Sequence, residues 1–251
     1  FIDHRVRATG LDRRRLGGEI WGYDDGDHGI VALCHAAANL VPAFAAPDAL
    51  AGFATQVLSR RRQCSAILGP DYQVAELWRL VSREWGPARS IRPHQPFLAL
   101  SSPPLVEPSP YVRRVRPHEL DVLHPACVAM FREEVGVSPE IGGGGAAYRA
   151  RVAQLIAGGM AFAHIEGNEV LFKAEIGAAT PSASQVQGVW VNPRYRGQGL
   201  GTSGMAAVAR TALAEVAPVV TLYVNEHNEA ARRVYSRVGF TEHTRFATVL
   251  F

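Results

Sequence analysis

The chain has very little lysine and cysteine. Arginine supplies 25 of its 26 basic residues, Lys173 is the only lysine, and there are three cysteines. Cys34, Cys64 and Cys127 lie far apart without a repeated spacing, which argues against a disulfide framework or a zinc site and predicts no bound metal. No apolar run approaches the roughly 18 residues of a transmembrane helix, so we expect no membrane partner and a cytoplasmic location.

A strong excess of charge is also absent. The net charge is +3 over 251 residues, of which 47% are hydrophobic and 20% charged, as in ordinary globular proteins. Neither half is basic enough to indicate a nucleic-acid partner. The length suits one large or two medium domains, and the oligomeric state is left open.

Glycine is concentrated after one strand-like run. Val189, Trp190 and Val191 precede Asn192-Pro193, and Arg196-Gly197-Gln198-Gly199-Leu200-Gly201-Thr202 then leads into a small-residue helix. Unpaired N–H groups at a helix N-terminus carry partial positive charge, and glycine lets an anion approach them closely. The segment therefore predicts a phosphate-binding turn.

Two other phosphate motifs fit this segment poorly. Gly199 to Gly204 matches G-x-G-x-x-G, but five residues separate the strand from the loop, and no acidic residue closes a second strand about 20 residues further on. A nicotinamide-dependent oxidoreductase is therefore a remote alternative. No Gly-Lys-Ser/Thr of a Walker loop is present.

A second motif follows at Leu222 to Phe240. Asn228 is a suitable helix N-cap, and Ala231, Val234, Tyr235 and Val238 share one helix face. Gly239 and Phe240 predict a Schellman-type ending. Tyr235 follows Asn228 by seven residues, which places both on nearly the same face.

Together the two motifs resemble motifs A and B of the GNAT family of acetyl-CoA-dependent N-acetyltransferases. The first matches in Val191, Pro193, Arg196, Gly199 and Gly201. The second matches in full, at Val224, Asn228, Ala231, Tyr235, Gly239 and Phe240. The resemblance covers residues 111–251, whose predicted order, β-α-α-β-β-β-α-β-α-β, is that of the family.

The segment Ser101 to Pro110 holds four prolines and predicts a semi-rigid linker. We therefore expect an N-terminal domain at 1–100, a linker at 101–110 and an acetyltransferase domain at 111–251. In the first domain, strands at 19–23, 29–34, 39–45, 64–68 and 96–100 and helices at 48–61 and 71–85 repeat the order of the second, without a glycine turn after 39–45. This pattern is similar to tandem GNAT proteins such as the mycothiol synthases, with a degenerate first lobe.

The expected fold class is therefore α+β, in α/β layers. Each of two GNAT-like lobes would be a mixed, mostly antiparallel twisted sheet flanked by helices. In the second lobe we also expect a flexible loop at Gly142 to Gly145, a helix at 146–157 and a final strand near 246–251.

The resemblance implies a coenzyme site and a reaction. The amides of residues 196–202 would hold the pyrophosphate of acetyl-CoA, Val189, Trp190 and Val191 would line the pantetheine arm, and Asn228 would hydrogen-bond near it. The acetyl group would pass to a primary amine by direct attack. Tyr235 would protonate the departing thiolate, since a phenol pKa of about 10 lies near a thiol's of about 8.5.

The general base is where the chain departs from the family. Gln185 and Tyr223 occupy the positions where relatives carry glutamate. Glu175 on the preceding strand is one candidate base, and Glu133 and Glu134 are others. A water chain is a further alternative, with His124, His164 and His227 as candidate relays. Glu133 and Glu134 would suit a cationic acceptor, either a small-molecule amine or a peptide N-terminus. Because both usual base positions are altered, a non-catalytic acetyl-CoA sensor or scaffold is the alternative function.

Overall fold

The structure is a computed structural model that describes all residues from 1 to 251. These residues divide into two compact units. The first unit comprises Phe1–Phe97, Tyr223–His227 and Glu242–Phe251. The second comprises Leu98–Leu222 and Asn228–Thr241. The division expected at 1–100, 101–110 and 111–251 stays a prediction. No helix has both the length and the apolar character needed to cross a membrane.

The first unit is a mixed sheet with helices. Its helices are α1 (Ile2–Thr9), α2 (Arg13–Leu16), α3 (Pro47–Leu58) and α4 (Asp71–Trp85), and its strands are β1 (Glu19–Asp24), β2 (Ile30–Ala36), β3 (Asn39–Ala43) and β4 (Ala66–Pro70). Strand β5 (Ser90–Leu100) begins in this unit, and most residues of β11 (Thr241–Leu250) belong to it. Only the β3–β4 pair is parallel among the pairs of β1 to β4, and β11 runs antiparallel to β4.

Apolar faces of α3 and α4 form the core of this unit. Leu50 and Phe53 from α3 and Leu77 from α4 are buried together with Leu40 and Ile67 of the sheet. This agrees with the apolar periodicity of both helix sequences. Burying such side chains contributes about 1.5–3 kcal/mol each.

Four elements differ from the sequence-based expectations in this unit. Helices α1 and α2 were not expected, because α1 buries no residue and so shows no apolar period. Strand β5 starts at Ser90 instead of residue 96, because Pro93 and Pro96 obscure its pattern. Strand β11 starts at Thr241, where five exposed residues hide its beginning.

The second unit contains the strands β6 (Arg113–Arg114), β7 (Ala161–Glu166), β8 (Glu169–Ala179), β9 (Ser184–Val191) and β10 (Val220–Tyr223). Only Tyr223, the last residue of β10, belongs to the first unit. Their order is β10-β9-β8-β7-β6, with β9–β10 parallel and the others antiparallel. The helices are α5 (Leu120–Val135), α6 (Gly145–Ala157), α7 (Leu200–Glu215) and α8 (Glu229–Val238). The predicted α+β class, with mixed and mostly antiparallel strands flanked by helices, is confirmed.

The loop formed by the glycines before α6 is shorter than expected. Residues Ile141–Gly143 form a 3-10 turn and α6 already begins at Gly145. Gly142 and Gly143 have φ values of 69° and 85°, which glycine adopts without steric cost. The proline-rich segment lies within the second unit, where Leu105 N–H donates to the Val238 carbonyl and Ser109 N–H to that of Ser203.

Candidate functional site

The turn between β9 and α7 is built on two left-handed glycines. Gly197 and Gly199 have φ values of 78° and 83°, and Gly199 is the residue that precedes the first turn of α7. A side chain at either position would strain the backbone. The sequence therefore makes a turn here that residues with a β-carbon would resist.

This turn leaves several backbone donors without an acceptor. The N–H groups of Thr202 and Ser203 donate to the Gly199 carbonyl, at 3.0 and 3.1 Å. Those of residues 198–201 donate to no group of the protein. Unpaired donors at the positive end of a sixteen-residue helix form a site that suits an anion.

The loop before the glycines is fixed by Glu169, the first residue of β8. Asn192 Nδ2 donates to Glu169 Oε1 at 2.9 Å, and the Tyr195 hydroxyl donates to Glu169 Oε2 at 3.0 Å. Arg194 pairs with the same carboxylate. One glutamate therefore holds three residues of the loop, so the glycine turn starts from a defined position.

Strand β9 is paired along only part of one edge. Its parallel pairing with β10 covers Ser184 and Gln185, opposite Val220 and Thr221, although β9 continues to Val191. The two strands therefore stop pairing after Gln185. The later part of β9 thus offers backbone groups to a ligand that could pair with it as an added strand.

A β-bulge lies where β9 loses this partner. Gln187 pairs with Glu175 and Trp190 with Lys173, so that Gly188 and Val189 together lie opposite Ala174. Gly188 has a φ of 60°, as a bulge glycine requires. Bulges are common beside active sites because they redirect the residues that follow.

Helix α8 has both of the caps that its sequence predicts. Asn228 Oδ1 accepts the N–H of Ala231 at 3.1 Å. At the other end, Phe240 N–H donates to the Tyr235 carbonyl and Gly239 N–H to that of Ser236, the paired bonds of a Schellman motif. The caps fix both ends of the helix that carries Tyr235.

A cavity of about 450 Å³ lies along these elements of the second unit. Its volume falls within the range of about 300–1,000 Å³ that is usual for small-molecule sites. The structure brings most of the predicted site residues to its walls: Glu133, Val189, Trp190, Val191, Arg196, Gly197, Gly199, Leu200, Gly201, Thr202, Asn228 and Tyr235. Gln198, Glu134, Glu175 and the three proposed histidine relays do not line it.

Two arginines of this cavity were not predicted from the sequence. Arg233 and Arg237 lie four residues apart on α8 and both line the cavity, with Arg196 facing it from the glycine turn. The i, i+4 spacing of two basic residues beside Val234 was the available signal. These arginines add positive charge to a site already suited to phosphate.

Close packing joins the glycine turn to α8. A β-carbon on Gly201 would lie 3.4 Å from Val191 Cγ2 and 3.5 Å from Val234 Cγ2. One turn further, a β-carbon on Gly204 would lie 2.8 Å from the ring of Phe172, closer than real contacts allow. Small residues therefore let α7 approach the strands closely enough to shape the cavity.

Glu133 has a definite role in the structure as a partner of the turn. Its Oε1 accepts from Trp190 Nε1 at 3.0 Å, and its Oε2 accepts from Arg196 Nη2 at 2.6 Å. Arg196 Nε also donates to the Val191 carbonyl at 3.0 Å. The carboxylate on α5 thus orients one residue of β9 and one of the turn.

Glu175 lies in a buried cluster with Lys173 and Cys127. Lys173 is fully buried and pairs with Glu175 Oε1, while its Nζ lies 3.3 Å from Cys127 Sγ. Burial alone would lower the pKa of Lys173, but Glu175, Cys127 and Tyr148 together raise it above its ordinary value. The lysine is therefore charged, and it neutralises the carboxylate expected to act as base.

The cluster lies directly beneath the bulge. A β-carbon on Gly188 would stand 3.1 Å from Glu175 Oε2 and 3.2 Å from Lys173 Nζ. Any side chain there would meet a buried charged group, so glycine is needed for space as well as for its φ. Burial also raises the pKa of the Cys127 thiol to about 11, which keeps it neutral.

Tyr235 faces the cavity from a buried position. Its ring packs edge-on against Phe240 with centroids 6.0 Å apart, and the residue is 6% exposed. Burial, with a smaller contribution from the charge of Glu134, raises the pKa of the phenol. The hydroxyl is therefore held in its protonated, donating form.

Comparisons with known proteins agree with this geometry. Residues 134–240 match the family model described as "Acetyltransferase (GNAT) family", and residues 18–123 match "Domain of unknown function (DUF4081)". The chain is similar to the mycothiol acetyltransferases of two Mycobacterium leprae strains, with 37% identity over 75 residues. That alignment spans 28% of this chain and 24% of each relative.

Solved structures resemble nearly the whole chain. A GNAT-family acetyltransferase from Colwellia psychrerythraea aligns with a TM-score of 0.60 and 12% identity over 98% of this chain and 89% of its own. A tandem GNAT protein from the clavulanic acid biosynthesis pathway aligns with a TM-score of 0.53 and 15% identity, over 92% and 82%. At such identities the likeness concerns the fold.

Residues 134–240, which hold the glycine turn and the helix that carries Tyr235, match the model of the GNAT acetyltransferase family. The fold resembles those of a GNAT-family acetyltransferase and of a tandem GNAT protein. The resemblance inferred from the two motifs is confirmed.

Proposed function

We propose that the protein transfers the acetyl group of acetyl-CoA to a primary amine, by direct attack of the amine on the thioester. The observation that carries the proposal is the row of unpaired N–H groups at residues 198–201, beside the unpaired edge of β9. The names of the family model and of the curated relatives support acetyl transfer. The coenzyme would be held without a metal ion.

The amides of the glycine turn would bind the pyrophosphate of the coenzyme. They lie at the N-terminus of α7, where the helix dipole favours negative charge. Arg196, Arg233 and Arg237 line the same cavity and would contact the phosphates. Gln198 would contribute its backbone N–H, although its side chain does not line the cavity.

The pantetheine arm would lie along β9 after its pairing with β10 ends. Backbone groups of Val189 and Val191 would pair with its amides, and the bulge at Gly188 directs these residues toward the cavity. Asn228 would hydrogen-bond to the arm through its amide nitrogen, because its oxygen already caps α8. This arrangement would place the thioester between Val191 and Tyr235.

In the reaction, the amine lone pair forms a bond to the thioester carbon, and the C–S bond breaks as the tetrahedral intermediate collapses. Tyr235 would donate its proton to the departing sulfur. Burial raises the pKa of Tyr235 further above that of a thiol than an ordinary phenol's, so the proton would be transferred only after negative charge has developed on the sulfur. Asn228 would assist by holding the arm in place.

The amine must also lose a proton. We propose that Glu175 accepts it at Oε2, which lies beneath Gly188, 3.1 Å from where a β-carbon would stand. Lys173 occupies the other oxygen. Because Glu175 does not line the cavity, a water molecule would relay the proton to Oε2. The proton then returns to solvent after the product leaves.

The acceptor is proposed to be cationic before it is deprotonated, as a small-molecule amine or a peptide N-terminus. Glu134 supplies the negative charge, because its field acts on both Tyr235 and Tyr148. Glu133 shares its charge with Arg196, and it would meet the acceptor only from the edge of the cavity.

A double substitution of the glycine turn tests the coenzyme site. We expect Gly199→Asp/Gly201→Asp to weaken acetyl-CoA binding by about a hundredfold or more, measured by isothermal titration calorimetry. Two carboxylates would repel the pyrophosphate, and the aspartate that replaces Gly199 would strain a left-handed position. Gly167→Asp is the matched control, because Gly167 also has a positive φ with open space around it but lies in the β7–β8 turn. Equal binding by the double variant and the control would contradict the proposal.

Substitution of Glu133 separates its two possible roles. We expect Glu133→Gln to raise the KM for acetyl-CoA by about two- to fivefold, because a half-exposed ion pair with Arg196 contributes up to about 1 kcal/mol. The KM for the acceptor should change little, whereas Glu134→Gln should raise it. The reverse result would assign Glu133 to the acceptor. Steady-state kinetics with the best acceptor from an amine panel provides the measurement.

A further inference from the structure

A second cleft lies within the first unit, with a volume of about 240 Å³. This is slightly below the usual range for small-molecule sites, so an occupant would be small or only partly enclosed. The walls combine two tryptophans, Trp21 and Trp85, with four arginines, and Leu40 and Val57 supply apolar floor. The cleft thus combines the flat apolar surfaces of tryptophan rings with the guanidinium groups of arginines.

The charge of this cleft is unbalanced. Its arginines are Arg13, Arg60, Arg61 and Arg62, and Glu19 is the only carboxylate that lines it. Glu19 is already fully engaged, since Oε1 accepts from Arg13 and Arg60 while Oε2 accepts from Trp21 Nε1 at 2.7 Å. These bonds lower its pKa, the Trp21 bond contributing most, so its single charge is fixed and satisfied.

Arg61 and Arg62 are left without a carboxylate partner. Arg62 lies over the ring of Phe251 at 4.3 Å, and Arg61 has no polar partner in the protein. Of the three adjacent arginines at 60–62, only Arg60 pairs with a carboxylate. A guanidinium fork binds a carboxylate or a phosphate through two parallel hydrogen bonds.

The aromatic groups are held in place around this charge. Trp21 is anchored to Glu19 and lies 5.8 Å beneath the guanidinium of Arg60. Trp85 packs edge-on against Phe251, with centroids 5.3 Å apart. Their fixed rings offer faces on which a planar group can stack.

The position of the cleft distinguishes it from a coenzyme site. It is lined by Leu40, near the start of β3, and by residues 60–64, which follow the C-terminus of α3. In the second unit the glycine turn lies at the other end of its strand and helix, because it follows the C-terminus of β9 and precedes the N-terminus of α7. The cleft is therefore not the counterpart of that turn.

We propose that this cleft binds a small organic anion that carries a carboxylate or phosphate on a planar aromatic group. The anion would meet Arg61 and Arg62, and the ring would lie against Trp21 or Trp85. Cys64 also lines the cleft, and burial raises the pKa of its thiol to about 11, so it contributes a neutral wall.

Two model ligands and one comparison ion test the proposal. Phenyl phosphate and benzoate would be titrated into the whole protein, with calorimetry and tryptophan fluorescence as readouts, and inorganic phosphate as the anion without a ring. We expect saturable binding of at least one aromatic anion, with a change in tryptophan fluorescence. Inorganic phosphate should bind about tenfold more weakly, because it cannot stack on the rings.

Charge reversal locates the site. We expect Arg61→Glu/Arg62→Glu to weaken binding of the aromatic anion by about tenfold or more, while acetyl-CoA binding is unchanged. Arg83→Glu is the matched control, since Arg83 is an exposed arginine of the same unit outside the cleft. The proposal is overturned if neither aromatic anion binds saturably, if Arg83→Glu weakens binding equally, or if acetyl-CoA displaces the anion.

Discussion

Replacing Lys173 with methionine is expected to lower the free energy of unfolding of the second unit by about 3–5 kcal/mol. The lysine is fully buried and Glu175 is 5% exposed, so the variant leaves a carboxylate in the interior without its counter-ion. Cys127 cannot replace the lysine, because its thiol is only a weak donor. Denaturant unfolding followed by circular dichroism measures the effect.

The double variant separates loss of a partner from loss of packing. Lys173→Met/Glu175→Met should be less destabilised than the sum of the two single variants, because it leaves no unpaired charge. Arg149→Met is the control, since its pair with Asp121 is 43% and 82% exposed and should contribute no more than about 1 kcal/mol. A loss in Lys173→Met no larger than in this control would show that the buried pair does not stabilise the fold.

The pH dependence of this contribution follows from the sign of the shift. The folded pKa of Lys173 is raised above the unfolded value of about 10.4. The stabilisation is therefore complete below about pH 10.4 and is lost as the pH rises through the folded pKa. At neutral pH the variant and the native chain should differ by the full amount.

Tyr235→Phe is expected to lower kcat by about 10²- to 10⁴-fold while leaving the Kd for acetyl-CoA nearly unchanged. Phenylalanine keeps the edge-on packing against Phe240 and removes only the hydroxyl that would protonate the thiolate. Single-turnover kinetics with the best acceptor and calorimetry with acetyl-CoA give the two values.

The control for this variant is Tyr111→Phe, because Tyr111 is 66% exposed in the same unit and does not line the cavity. If Tyr235→Phe keeps more than about a tenth of the native kcat, another group must serve as the acid. If the native protein binds acetyl-CoA but acetylates no amine, the sensor function becomes the better hypothesis.

Features set by neighbouring residues could be predicted from the sequence. The positive φ of Gly197 and Gly199, the Asn228 cap and the Schellman bonds of Gly239 and Phe240 all depend on residues a few positions apart. Local conformational preferences decide such features. The position of the glycine turn could therefore be predicted from the sequence.

Contacts between residues that lie far apart in the sequence could not be predicted in this way. Glu133 meets Arg196 across 63 positions, and Lys173 meets Cys127 across 46. No local pattern pairs them, because the packing of α5 on the sheet brings them together. One signal did exist, a lone lysine and a glutamate within an apolar run, which is unusual for a buried strand.

The pairing of β11 with β4 has a consequence for biosynthesis. Residues 246–250 lie beside residues 66–70, so the sheet of the first unit lacks a strand until nearly all the intervening chain has left the ribosome. During translation, the nascent first unit would expose the edge of β4, a template for unwanted pairing. A fragment that ends at residue 100 would keep this open edge permanently, so both units are best produced as one polypeptide.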